Sequence, residues 1–238
     1  MLYDKNIREP LFDFLDEIYG TNRTLEELMI GKSRADICMI TKENIIGIEI
    51  KSDADTYVRL KRQVRDYNKY FDMNIVVCGS SHGNHIKEHV PNNWGIITVE
   101  ETDVNQNDSA DSSKSLLSTS CDFYILREPT PNPKVTMLNK LSLLWRPELV
   151  EIKDKYNLPK YDYLSKANLV LKMEEKIDHK LLQKDICETL LERDYNTIGE
   201  KIAEYHKSKN VKRRQTVKKA IKRKRRTRKK GAVKKVSK

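Results

Sequence analysis

Two apolar, β-branched runs, "RADICMIT" at 34–41 and "IIGIEIK" at 45–51, are separated by only "KEN". That connection is too short for anything but a tight turn, so the runs predict an antiparallel hairpin. The charges on it are unusual. Pairing around a turn at 42–44 sets Asp36 roughly opposite Glu49 and Lys51, and strand alternation puts Glu49 and Lys51 on one face. Two carboxylates and an ammonium therefore converge at one end of an apolar hairpin. Oxygen donors of this kind suit Mg²⁺ or Mn²⁺, which usually take one or two carboxylates and keep several waters. The carbonyl of Ile50, between Glu49 and Lys51, is a further candidate ligand. Lys51 would then orient or deprotonate a water at the metal, or stabilise charge growing on a phosphate.

The rest of the chain reads as a mixed α/β sheet with helices on both sides. "NIREPLFDFLDEIY" (6–19) carries Ile7, Leu11, Phe14, Leu15 and Ile18 at helical spacing, and "LEELMIGKS" reads as a short helix or an edge strand. Residues 55–71 repeat apolar positions every three or four residues and predict a helix that Asp55 would cap. "NIVVCGS" and "WGIITVE" are short, wholly apolar strands of the kind buried on both faces. A short helix in "SHGNHIKEHVP" falls between them. Residues 101–120, rich in Ser, Asp and Asn, read as a mobile insertion. "CDFYILREPT" is one more strand. The expected division is an α/β core over 1–133, a helical module over 134–206 and a disordered basic tail over 207–238.

The tail reverses the meaning of the net charge. The chain totals +11, but 18 of its 46 Lys and Arg lie in residues 207–238, which contain no acid. Residues 1–206 thus hold 28 bases against 35 acids, a net of −7. A run such as Lys222, Arg223, Lys224, Arg225 and Arg226 cannot pack and stays extended until it meets phosphates, gripping nucleic acid in a salt-sensitive, sequence-blind way. It would equally serve as a nuclear-import signal if the chain were eukaryotic. No apolar stretch approaches a membrane span, and the N-terminus lacks a signal-peptide pattern. Scattered Cys38, Cys78, Cys121 and Cys187 read as reduced thiols of a cytoplasmic protein. Cys78 with His82, His85 and His89 matches no closed zinc pattern, although His82 could touch substrate.

Asp36, twelve intervening residues and then "EIK" resemble the core of the PD-(D/E)XK nuclease superfamily, with Ala35 in place of the leading Pro. "QVRDY" on the next helix, with Gln63 and Tyr67 four residues apart on one face, resembles the Gln-x-x-x-Tyr element of its RecB-like exonuclease branch. "VPNNWGI" (90–96) and "LLWRPELV" (143–150) extend the likeness to an uncharacterised bacterial and phage family of that superfamily, over residues 6–193. The resemblance implies a restriction-endonuclease-like fold and divalent-metal-dependent hydrolysis of DNA. It further implies Asp36, Glu49, Lys51, Gln63 and Tyr67 as the catalytic set, and metal ligands Asp36, Glu49 and Ile50. The superfamily's upstream acid would be Glu27, with Asp13 and Glu17 as alternatives. Arg34, Arg59 and Arg65, with Lys61, would contact phosphates.

Residues 148–173 loosely resemble the helix–extension–helix DNA-binding motif called SAP, with Lys160, Lys166 and Lys172 toward the duplex. A helical hairpin packed on the core explains them as well. Many superfamily members pair to cut both strands, so a homodimer is among the expected states, and RNA stands beside DNA as a substrate class. Two other function classes fit the sequence. One is a catalytically silent nuclease-like scaffold that binds nucleic acid or protein, as a phage anti-defence or repair accessory would. The other is an RNA- or ribosome-binding factor acting through its tail.

Overall fold

The structure, a computed structural model, describes residues 3–83, 85–102, 120–161, 163–195, 199–200 and 202–207. The expected mobile insertion, apart from its ends, and the tail with Lys222–Arg226 lie outside the described residues. The chain forms two compact units. Among the described residues, one comprises those up to 144 with 170–192, and the other those of 145–169 with those from 193 to 207.

The first unit is built on a six-stranded mixed sheet whose strands lie in sequence order. Helix α1 (Asp4–Tyr19) leads into β1 (Arg23–Ile30), β2 (Ser33–Ile40) and β3 (Ile45–Lys51). The first three strands form an antiparallel meander. A 3-10 turn (Tyr57–Arg59) and α2 (Leu60–Tyr70) then cross over to β4 (Met73–Gly79), which pairs parallel to β3. A short α3 (Ser80–Gly83) and a second 3-10 turn (Ile86–Glu88) precede β5 (Gly95–Thr102), parallel to β4. Antiparallel β6 (Ser120–Arg127) closes the order. "LEELMIGKS" is thus the edge strand β1. The two-residue turn after it places Gly31 at φ +60°, a conformation glycine takes at no steric cost.

The two faces of the sheet have different work. Ile7, Leu11 and Leu15 of α1 pack on Ile37, Met39, Ile46, Ile48, Ile50, Ile75, Val77, Ile97 and Val99, the main apolar core. The opposite face receives α2. There Phe71 lies so close to Gly47 that a Cβ would stand 2.1 Å from its ring, which explains a glycine inside a central strand. All seven residues of β3 are buried, including Glu49 and Lys51. Because side chains alternate, those two point to the α2 face while Ile48 and Ile50 fill the core.

Helices α4 (Met137–Ser142) and α7 (His179–Leu191), with most of α6 (Lys166–Lys176), belong to this same unit. The stretch 134–206 is therefore not one module. Leu182, Ile186 and Leu190 form the buried stripe of α7, and Gln183 donates to Asp72 at the start of β4. Lys140 bonds both Asp72, at 2.7 Å, and Gln183.

In the second unit, α5 (Arg146–Lys155) begins with Glu148 accepting from the backbone N–H of Trp145 at 2.6 Å. Arg193 donates twice to the Glu148 carboxylate, both bonds 2.7 Å, and its guanidinium lies 4.1 Å over the Trp145 ring. "LLWRPEL" thus carries a buried ion pair and the start of a helix. Of the SAP candidates, Lys172 lies in the first unit and pairs with Glu175.

No helix among the described residues is long and apolar enough to cross a membrane. Cys38, Cys78 and Cys187 are buried, Cys121 is half-buried, and none of the four is in a disulfide.

Candidate functional site

The hairpin brings Asp36, Glu49 and Lys51 together as its alternation requires. Ile37 pairs with Ile48 as the last rung of the β2–β3 ladder. Beyond it, the Asp36 side chain takes over from the strand, its Oδ2 accepting from the Ile50 N–H at 2.9 Å. In an extended strand a residue's N–H and C=O face the same neighbour, so the Ile50 carbonyl is turned toward Asp36 too. Glu49 is fully buried. Its Oε1 accepts from Lys51 Nζ and from Gln63 Nε2, each at 2.5 Å. Its Oε2 is buried and meets no hydrogen-bond donor among the described residues.

Helix α2 supplies the roof. Gln63 and Tyr67 both face the hairpin, one turn apart, because i and i+4 share a helical face. Gln63 reaches Glu49 with its amide N–H, and its carbonyl oxygen accepts from Lys51 at 3.4 Å. The buried Tyr67 hydroxyl donates to the Ile48 carbonyl at 3.2 Å and accepts from the Asp36 N–H at 3.1 Å. It therefore stitches the ends of the two strands where their own ladder stops. The "VPNNWGI" segment buttresses this helix. Trp94 packs 5.4 Å from the Tyr67 ring and donates to Asn68 at 2.8 Å.

The site opens into a pocket of about 380 Å³ lined by Asp36, Glu49, Ile50, Lys51 and Gln63. Burial first, and the neighbouring Glu49 second, push the Asp36 carboxyl up to about 7, while the Ile50 N–H and Lys51 pull it the other way. Two carboxylates crowded out of water favour a proton or a cation. The sign of the resulting pH dependence follows from linkage. A carboxyl whose folded value exceeds its ordinary one, near 3.8, binds its proton more tightly in the folded chain. That contribution is fully present below the ordinary value and is lost as pH rises through about 7. Metal-free protein is thus expected to melt at falling temperatures from about pH 4 to about pH 7. Thermal melts across that range should show the slope flattened in Asp36→Asn.

The other expected residues divide. Glu27 lines the same pocket and lies opposite Asp36 in the β1–β2 register, between the Glu26–Ile37 and Leu28–Ala35 pairs. Both its oxygens are engaged, by Arg8 at 3.2 Å and by Arg34 at 2.5 Å. Its backbone stands at φ +57°, a left-handed conformation that costs a non-glycine residue energy. Asp13 and Glu17 are exposed on α1 and do not line the pocket. Arg34 and Arg59 line it, Arg65 and Lys61 do not, and Arg62 and Lys32 join it. Asp55 does not cap the helix after it. Its carboxylate turns back to Ser52, accepting from the backbone N–H at 2.9 Å and the hydroxyl at 2.7 Å. His82 lies outside this pocket, bonded through Nδ1 to the Tyr57 hydroxyl at 2.7 Å.

Arg8 was not anticipated. From the first turns of α1 it reaches Asp4 at 2.8 Å, Glu26 at 3.1 Å, Glu27 at 3.2 Å and the Asp36 carbonyl at 3.3 Å. It is the counter-charge of the acidic side of the pocket. Asp4 and Arg8, four residues apart, form an ordinary helical pair in the sequence, and nothing local there says that the pair faces a site.

A divalent ion fits these donors. Among the described residues no three His, Cys, Asp or Glu side chains form a cage. An ion here would rest on Asp36, the free Oε2 of Glu49, the Ile50 carbonyl and water, an arrangement typical of Mg²⁺.

A family model described as bacteriophage P4 protein cII matches residues 1–220. No curated protein and no solved structure matches the chain.

Proposed function

The chain belongs to the bacteriophage P4 protein cII family, and for this member of it we propose divalent-metal-dependent hydrolysis of DNA phosphodiester bonds. One observation carries the reading. Asp36, Glu49 and Lys51 line one pocket, with a buried Glu49 oxygen that no donor among the described residues satisfies. An unpaired buried carboxylate oxygen costs free energy, and a bound cation removes that cost. The likeness of this hairpin and of Gln63 and Tyr67 to the PD-(D/E)XK superfamily supports the same conclusion.

Asp36, Glu49 and the Ile50 carbonyl would hold Mg²⁺ or Mn²⁺. The ion would supply Lewis acidity, polarising the scissile phosphate and offsetting the carboxylates that would otherwise repel it. Lys51, an ammonium held between Glu49 and Gln63, positions the attacking water and stabilises charge that grows on the phosphate oxygens. Gln63 fixes which Glu49 oxygen stays open. Tyr67 holds the backbone of Asp36 and Ile48 in register. Rim cations and the basic tail add affinity without choosing sequence.

The test is a cleavage assay on supercoiled, linear and single-stranded DNA with Mg²⁺, Mn²⁺ or EDTA. Wild type is expected to nick or degrade DNA only with metal, and the Asp36→Ala, Lys51→Ala double variant to do nothing. EDTA-resistant binding without cleavage under any metal would replace this reading with a silent binding scaffold.

A further inference from the structure

We infer that Arg8 stands where a second metal ion would have to bind, so that the site takes one divalent ion per chain. Arg8 is then a positioning residue whose fixed charge sets that number. This rests on the nuclease reading above and deepens it. Sheet order puts Asp36 of β2 between Glu27 of β1 and Glu49 of β3. An ion on Asp36 and Glu49 Oε2 uses the β3 side. The β1 side has carboxylates of its own, Asp4 and Glu27, which line the same pocket. Two divalent ions that act together stand about 3.5–4 Å apart, so a second one would have to lie beside Asp36 on that β1 side.

Arg8 already occupies that ground. Its Nε donates to Asp4 at 2.8 Å, Nη1 to Glu26 at 3.1 Å and to the Asp36 carbonyl at 3.3 Å, and Nη2 to Glu27 at 3.2 Å. Nη2 also stands 4.0 Å from Asp36 Oδ1. One guanidinium thus bonds three carboxylates and faces a fourth, with its side chain only 15 % exposed. Arg34 takes the other Glu27 oxygen, so both Glu27 oxygens already meet a cation. Glu27 keeps its left-handed backbone, φ +57°, in these contacts. Such strain persists only where the surroundings enforce it, and here two arginines do. The β3 side differs, because there Glu49 Oε2 is buried without a donor among the described residues. A second dication would have to displace a guanidinium that keeps its proton in proteins and is tethered to α1. The displaced charge would remain beside the ion, weakly screened. Left in place, Arg8 offsets the same carboxylates that would otherwise repel a phosphate.

The test counts ions rather than turnover. Metal-free full chain is titrated with Mn²⁺, and electron paramagnetic resonance reads the free ion, from which bound ions per chain follow. Wild type is expected to saturate at one ion, with the spectrum of an isolated Mn²⁺. Arg8→Met removes the charge, leaves Asp4, Glu26 and Glu27 open, and is expected to take two ions with the spectrum of a coupled pair. Adding Glu27→Gln to Arg8→Met should return the count to one, and Arg8→Lys, which keeps the charge, should stay at one. Thermal melts establish that each variant is folded, and Arg8→Gln replaces Arg8→Met if the latter is not. Two ions on wild type, or one on the folded Arg8→Met or Arg8→Gln chain, overturns the inference and leaves the nuclease reading standing. No ion on wild type removes the nuclease reading, and this inference with it.

Discussion

Lys51→Ala is expected to slow DNA hydrolysis about a thousandfold, the size typical of losing a charge-stabilising or proton-handling group. Binding of DNA in EDTA should stay within about twofold, since the proposal assigns that work to the rim cations. The variant has a second signature. Lys51 and Gln63 both donate to Glu49 Oε1 in its buried position. Removing the ammonium leaves a buried carboxylate with one amide, an uncompensated charge that costs about 3–5 kcal/mol. The metal-free variant should therefore melt well below wild type, and added Mn²⁺ should recover part of the difference. Full activity in Lys51→Ala would remove Lys51 from the mechanism. Lost activity with an unshifted melt in EDTA would mean that the Glu49–Lys51 pair does not bear on folding.

The largest purely structural effect is expected at Arg193. Its two bonds to Glu148 and its place over Trp145 are buried. Arg193→Ala should destabilise the second unit by about 3–5 kcal/mol through the stranded Glu148 carboxylate. Arg193→Lys should recover little, because an ammonium cannot reproduce two parallel bonds or the flat contact with the indole. The chain's two tryptophans separate the units. Trp145 sits in the second and Trp94 in the first, so urea unfolding can be followed by fluorescence in Trp94→Phe and Trp145→Phe backgrounds. The Trp145 transition should move and the Trp94 transition should hold. Coincident shifts would show that the two units unfold as one.

The site was legible where local rules suffice. Strand alternation alone puts Glu49 and Lys51 on one face, and helical periodicity alone puts Gln63 and Tyr67 on another. The turn at "KEN" fixes which ends meet. What the sequence withheld was tertiary. Arg8 reaches the pocket only because α1 docks across the sheet with its first turns beside β1, and no spacing in "DKNIREP" encodes that. β1 stayed ambiguous because Leu-Glu-Glu-Leu-Met favours helix by composition. The signal for a hairpin was the two-residue Gly31–Lys32 turn before the next strand. Amphipathicity shows that α7 buries Leu182, Ile186 and Leu190 but not against what, so the helical stretch looked like a module of its own. Asp55 read as a cap because aspartate before a helix usually is one. Here the tight turn at Ser52 claimed the carboxylate first.

The most direct measurement is a crystal of the protein soaked in Mn²⁺, with anomalous scattering recorded. The account predicts one strong peak in direct contact with Asp36, Glu49 Oε2 and the Ile50 carbonyl, and its loss in Asp36→Asn. A featureless pocket with Glu49 Oε2 still unpaired, or a peak held elsewhere on the chain, would contradict it.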